Sequence, residues 1–280
     1  MKTKKMLWIT DIHLNFLNND SFNRFVSFIK FKNPDIVLIG GDVGEANSVQ
    51  NYLSVLEEKI KKPIYFVLGN HDFYRGSIYD LRKKVSDQSK KSQYLTYLSD
   101  SGVIPITNTV GILGHDSWAD GRLGNFEDST IELNDYTIIR ELEGLSKIDR
   151  LKRLNQFGDE GAKHVRKLLP KALTKYEELF VITHVPPFRE VCLQRGKISS
   201  DDGLPHFSCK AMGDVLIEAM QANPHKRMTV LCGHTHNEAQ AKILPNLEVI
   251  VGGATYGKPY IQQIFSIGDN GQIKKEYQEE

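Results

Sequence analysis

Three short apolar runs, at residues 6–10, 36–39 and 64–68, each end directly against a polar or glycine-bearing cluster, and nothing else in the sequence limits the fold as tightly. Continuous apolar runs of this length read as strands buried on both faces. Between the first two, Phe22, Phe25, Val26 and Ile29 recur at helical spacing within residues 20–30, and Pro34 punctuates the end. Val49, Leu53, Leu56 and Ile60 repeat the pattern over residues 49–60. Strand, helix, strand, helix, strand is the order of an α/β sheet with parallel neighbours.

Further along, residues 78–98 are polar, with Leu81, Val85, Tyr94, Leu95 and Leu98 interspersed, and receive no element. Residues 107–113 read as a strand. Residues 116–135, rich in Gly, Asp, Asn and Ser, read as a long loop, of the kind that in compact domains goes with function. A helical signal covers residues 145–176, a strand 179–183, and an irregular stretch 186–208. Strands close the chain near 228–231, 247–251 and 261–267. With no internal repeat or low-complexity linker, residues 1–280 are expected to form one domain, whose loops around 116–135 and 186–208 overhang a site.

Composition narrows the function classes. The chain is 40% hydrophobic and 25% charged, and its 36 Lys and Arg against 35 Asp and Glu leave a formal charge of +1. No whole-protein field gathers nucleic acid or anionic membrane, so anion binding must come from a local site. Cys192, Cys209 and Cys232 are too few and too irregularly spaced for a disulfide framework or a metal knuckle, and a reducing cytoplasm is the simplest setting. Residues 1–5 are basic and 6–10 apolar, as at the start of a signal peptide, but Asp11 cuts the run short. No run reaches membrane-spanning length.

Five clusters stand at predicted strand ends: Asp11-Ile-His13, Gly41-Asp42, Gly69-Asn-His-Asp72, Thr183-His184 and Gly233-His-Thr-His236. Ligands of α/β sheets gather outside the carboxyl ends of strands, so these clusters are expected to converge. Asp11 and His13, two apart on an extended strand end, would point the same way, and His234 and His236 likewise. Their oxygen and imidazole donors suit Mn, Fe, Zn or Ni in an open site, where a structural zinc would recruit cysteine. Glycines 41, 69 and 233 are expected to let the backbone turn sharply beside the metals.

Taken together, the five motifs resemble those of the calcineurin-like metallophosphoesterases, in order and with similar gaps between the first three, over residues 11–236. Any one motif alone is weak; five in order, each after an apolar run, are specific. The resemblance implies a sandwich of two mixed sheets flanked by helices, and two divalent ions. It implies that Asp11, His13 and His236 bind one ion and Asn70, His184 and His234 the other, with Asp42 bridging. His71 matches the family's catalytic histidine, which faces the leaving group, and Asp72 would orient it from behind. Two ions about 3.5–4 Å apart can lower the pKa of a bridging water from roughly 15.7 towards neutrality. The resulting hydroxide attacks phosphorus while His71 protonates the leaving alkoxide. Manganese is the ion expected to load in vitro.

Blander readings hold elsewhere. His164, His206 and His225 stand beside no other ligand and read as ordinary core or surface residues. His115, Trp118, Asp120 and Arg122 open the long loop and read equally as rim residues or as structural pins. Phe188 reads as filling, Tyr256 and Lys258 as part of a turn, Cys232 as a small core residue, and the pairs Lys61-Lys62 and Lys83-Lys84 as solvated helix faces. Protein Ser/Thr phosphatases of the superfamily carry arginines after the GD motif and before GNH, where this chain has Val43-Gly-Glu-Ala-Asn47 and Val67-Leu68. Its nucleases add a long basic C-terminal region, and here the chain stops soon after Ile267, so polymeric nucleic acid is not expected as substrate. What remains is a phosphomonoesterase or phosphodiesterase of small or nucleotide-like esters, physiological substrate and oligomeric state open. The competing class is a non-catalytic metal-binding scaffold of the same fold, against which stands the full set of seven ligands plus His71.

Overall fold

The structure, a computed structural model, describes residues 3–276; the first two and last four residues of the expected 1–280 domain lie outside it. Elements are numbered in chain order. β1 (Thr3–Ile9), β2 (Ile36–Gly40) and β3 (Ile64–Val67) form the expected parallel core, with Met6 opposite Ile36 and Val37 opposite Ile64. Lys4 and Lys5 of the basic start are thus part of a strand. α1 (Asn19–Phe31) is capped by the Asn18 side chain, which accepts the Ser21 N–H, and buries Phe25, Val26 and Ile29. α2 (Val49–Ile60) buries the four residues whose spacing announced it.

The unassigned stretch becomes α3 (Ile78–Lys91), capped by Ser77, followed by the three-residue strand β4 (Leu95–Tyr97), which pairs parallel with β3. α3 buries only Ile78, Leu81 and Val85, too thin a stripe to stand out among its lysines and serines.

A second sheet starts with the short edge strand β5 (Ile104–Pro105) and β6 (Val110–His115), then continues after the 29-residue α5 (Lys147–Lys175) with β7 (Glu178–Thr183). Residues 116–134 carry no helix or strand, and α4 (Asp135–Ile138) is a single turn. The 186–208 stretch holds the tiny hairpin of β8 (Leu193–Gln194) and β9 (Lys197–Ile198) and the turn α6 (Leu204–Phe207). α7 (Lys210–Gln221), absent from the sequence reading, buries Met212, Val215, Leu216 and Met220. β10 (Arg227–Cys232), the edge strand β11 (Ala239–Leu244) and β12 (Leu247–Val251) complete the second sheet, in the order β11-β12-β10-β7-β6-β5. β13 (Gln263–Gly268) and β14 (Ile273–Glu276) return to the first sheet, giving β14-β13-β1-β2-β3-β4.

Both sheets are mixed and face each other between helices. Alternate residues of each strand point to opposite faces. Met6, Trp8 and Leu38 therefore meet Ile112, Phe180 and Ile182 between the sheets, where the Phe180 and Phe265 rings stand 5.2 Å apart. Leu7, Ile9 and Ile39 face outward beneath the helical residues Val26 and Leu53, while Val181 and Val230 face Leu169 and Leu216. Both faces of each central strand are covered, which is why the runs show no polar alternation.

Candidate metal centre

All five clusters lie just beyond the carboxyl ends of parallel strands, β1, β2, β3, β7 and β10. The local geometry differs from the expected extended ends. Asp11 (φ 49°), His13 (39°), Asp42 (53°), His234 (72°) and His236 (56°) all adopt left-handed backbone. Asp11 and His13 therefore converge through tight turns, not through strand alternation. A non-glycine residue held this way costs about 1–2 kcal/mol, and such strain collects at functional sites. Cross-links between the turns hold it: His13 N–H donates to the Asp42 carbonyl (2.9 Å), Gly233 N–H to the His184 carbonyl (2.9 Å) and His234 N–H to Asp11 Oδ1 (2.9 Å).

The glycines serve two different purposes. Gly41 has φ +97°, a turn that favours glycine. Gly69 and Gly233 instead make room: an added Cβ would stand 2.1 Å from Asp42 Oδ1 at the first and 1.8 Å from Asp11 Oδ2 at the second.

Two half-sites result. In one, the ligand atoms of Asp11, His13, Asp42 and His236 all lie within 4.8 Å of one another. The Nε2 atoms of His13 and His236 are 3.1 Å apart, and His236 Nε2 is 3.4 Å from Asp11 Oδ1. In the other, Asn70 Oδ1 stands 3.1 Å from His184 Nε2 and 3.0 Å from His234 Nδ1. Asp42 sits between them, with Oδ2 3.7 Å from His13 Nε2 and Oδ1 3.4 Å from His184 Nε2.

Hydrogen bonds behind the ligands aim them inward. His184 Nδ1–H donates to the Gly40 carbonyl (2.9 Å), leaving Nε2 for the site, and His234 Nε2–H points to the His206 carbonyl (3.3 Å), leaving Nδ1. Asn70 Nδ2–H donates to Asp135 Oδ1 (2.9 Å), so its oxygen faces in; Tyr74 O–H donates to the same carboxylate (2.8 Å). With the His234 proton on Nε2, the Asn70 oxygen and the Nδ1 lone pair face each other at 3.0 Å. A cation resolves that arrangement, and the carboxylate, amide and imidazole donors suit a divalent one.

Electrostatics point the same way. Burial pushes the Asp42 carboxyl up, but the imidazoles of His184, His71 and His13 outweigh it and hold it well below the ordinary carboxylate range. Burial works against a charged His184, yet Asp42 raises it to about 10. Burial, helped by the imidazoles of His71 and His236, drives His13 down to about 4 against the pull of Asp42 and Asp11, and burial together with His184 drives His234 to about 3, so both are neutral and able to coordinate.

Asp72 differs from expectation. Its oxygens accept the N–H groups of Val43 (2.8 Å), Gly44 (2.8 Å) and Gly69 (2.9 Å), clasping two ligand loops together, and do not serve the His71 ring. That ring instead stacks on Tyr74, with centroids 4.2 Å apart and planes 28° apart, and meets His13 edge-on at 4.8 Å. Trp118 is buried between Phe73 and Phe157 and pins its loop. His115 is buried and accepts the Ser117 N–H, Arg122 pairs with Asp120 and Asp159, and Phe188 fills the core. Lys258 lies in a turn, but Tyr256 does not merely shape one: its ring lies 4.6 Å from His13 and 5.1 Å from His236. Tyr74, Asp135, Tyr256 and the His206 carbonyl are the parts of the site that sequence reasoning missed. Asp135, Tyr256 and His206 have no motif beside them, Tyr74 follows the Gly69-Asn-His-Asp72 cluster without belonging to it, and the tertiary fold brings all four to the ligands.

A sequence model of the calcineurin-like phosphoesterases matches residues 4–238. Over 79 residues the chain is 35% identical to an uncharacterized metallophosphoesterase of Helicobacter pylori (strain J99), a match covering 27% of this chain and only 21% of that protein's length. The fold is similar to that of a dimetal phosphatase from Danio rerio (TM-score 0.59, 11% identity, 97% of this chain and 95% of that one). It is also similar to that of a phosphopantetheinyl hydrolase from Mycobacterium tuberculosis (TM-score 0.60, 12% identity, 90% and 89%). At such identities these structures share the fold with this chain.

Proposed function

The chain belongs to the calcineurin-like phosphoesterase family, and on that premise we propose that it is a metal-dependent phosphoester hydrolase that cleaves monoesters or diesters of small or nucleotide-like alcohols with two divalent ions. Asp11, His13 and His236 would hold one ion, Asn70, His184 and His234 the other, and Asp42 both. The observation that carries this reading is the pair of half-sites sharing Asp42, whose candidate ligand atoms converge to 3.0–3.1 Å of one another. Bound there, the ions supply a water of lowered pKa and positive charge against the phosphoryl oxygens.

The chain's own residues supply the rest. Asp42 offers one oxygen to each half-site, so its charge would serve both ions. His71 touches neither half-site as a ligand; its backbone N–H donates to Asp42 Oδ1 (2.9 Å), while its ring, propped on Tyr74, is free to give a proton to the departing alkoxide. Asp72 keeps the loops that carry Asp42 and Asn70 in register, and the Tyr74–Asp135 pair fixes the Asn70 oxygen. Among the described residues no helix is long and apolar enough to cross a membrane.

Assay of the manganese-loaded protein against phosphomonoesters, phosphodiesters and nucleotides tests the proposal. Hydrolysis abolished by chelator and restored by metal is expected. Two bound ions with no turnover on any of these esters would move a non-catalytic scaffold ahead.

A further inference from the structure

A groove of about 340 Å³ opens beside the half-sites, with His71, His234 and His236 among its walls. Each of these histidines is backed by an aromatic ring that also lines the groove: Tyr74 at 4.2 Å from His71, Phe207 at 5.5 Å from His234 and Tyr256 at 5.1 Å from His236. Leu133 adds an apolar wall. Tyr256 is 47% exposed although it packs against His13 and Phe16, which leaves ring surface beside the centre for a bound molecule to stack on.

The charge of the groove is one-sided. Among the described residues that line it, none is Lys or Arg, and two are acids, Glu132 and Asp135. Asp135 is buried and spent on Asn70 and Tyr74. Glu132 stands at the rim, its side chain 64% exposed, and its partner Arg150 (2.6 Å) is tucked away at 13% exposure over the Tyr136 ring, 4.2 Å from its centroid. A phosphoryl group lying on the metals would be neutralised there. A second phosphate reaching into the groove would meet the exposed Glu132 carboxylate first, with Arg150 tucked behind it.

Resting on the phosphoesterase reading above, we infer that this groove is a leaving-group subsite for esters bearing one phosphoryl group on an uncharged alcohol with a flat ring, and that it turns away esters carrying a further phosphate. A groove of about 340 Å³ takes the leaving group of a small ester.

Three alkyl phosphates with leaving alkoxides of similar basicity test it on the manganese-loaded full chain: benzyl phosphate, ethyl phosphate, and the bisphosphate of 1,3-benzenedimethanol. kcat/KM for benzyl phosphate should exceed both others by about tenfold or more, the size of one good stacking or one like-charge contact. Glu132→Lys, at an exposed position, should narrow the penalty on the bisphosphate about fivefold or more and leave the benzyl-to-ethyl ratio where it was. Three equal values, a preference for the bisphosphate, or a bisphosphate penalty unmoved by Glu132→Lys would overturn the inference. If nitrophenyl phosphate too is untouched with both ions bound, the phosphoesterase reading itself falls and takes the subsite with it.

Discussion

Replacing Gly233 with alanine probes the metal centre without altering any ligand. Its φ lies outside the left-handed region, so alanine meets no backbone penalty there, and the whole effect comes from the added carbon. That Cβ would stand 1.8 Å from Asp11 Oδ2 and 2.3 Å from Thr10 Oγ1, where packed carbons keep at least 3.0 Å, so the Asp11 carboxylate must retreat by about 1.2 Å. Thr10 Oγ1–H (2.7 Å) and His234 N–H (2.9 Å) now pin that carboxylate, and neither bond survives such a shift. Overpacking of this kind costs about 1–3 kcal/mol of stability, which a protein this size tolerates. Metal–ligand distances, in contrast, tolerate only about 0.2 Å. Calorimetric titration with manganese should show the ion gripped by Asp11 weakened by about 10–100-fold, the range typical when a ligand's support is disturbed. Gly102→Ala, where nothing lies within 4 Å, is the control. A folded Gly233→Ala protein binding both ions as tightly as the parent would refute the placement of Asp11 at the metal.

His71→Ala should keep both ions yet lose about 10²–10⁴ in turnover on esters with poor alkoxide leaving groups, and far less on nitrophenyl esters; equal losses on both would mean that His71 positions substrate instead of donating a proton. His184, raised to about 10, is protonated in the metal-free protein at neutral pH and must release that proton to coordinate. Calorimetry in buffers of different ionisation enthalpy should therefore record about one proton released and affinity rising about tenfold per pH unit below 10. The same group should stabilise the metal-free fold fully below its ordinary 6.5 and progressively less as pH rises towards 10, read as a falling Tm; a Tm flat across that window from this source, checked with His184→Gln, would contradict the assignment.

Much of this site was legible because its residues sit where strands end. The apolar runs located β1, β2, β3, β7 and β10, and the polar cluster after each held a candidate ligand. What the sequence hid was geometry and support. Spacing of two suggested that Asp11 and His13 share an extended face, whereas left-handed turns bring them together. Asp72, next to His71, invited a local partnership that three backbone N–H groups pre-empt. Tyr74, Asp135 and Tyr256 act across 4, 65 and 20 residues from Asn70, Asn70 and His236, and no local pattern reports such contacts. Among the elements, β4 is too short for any periodicity, and β11 is an edge strand whose residues are only partly buried. α7 is another matter: Met212, Leu216 and Met220 recur four apart, a legible stripe overlooked beside the irregular stretch before it.

Metal stoichiometry per chain, measured by elemental analysis after manganese loading and gel filtration, tests the central claim most directly. The parent should carry two ions, and Asp42→Asn should lose more metal than any other single-ligand variant, because only Asp42 presents an oxygen to each half-site. Fewer than one ion in the loaded parent, with activity unchanged in chelator, or an Asp42→Asn protein retaining both ions and near-normal turnover, would contradict a two-metal centre shared through Asp42.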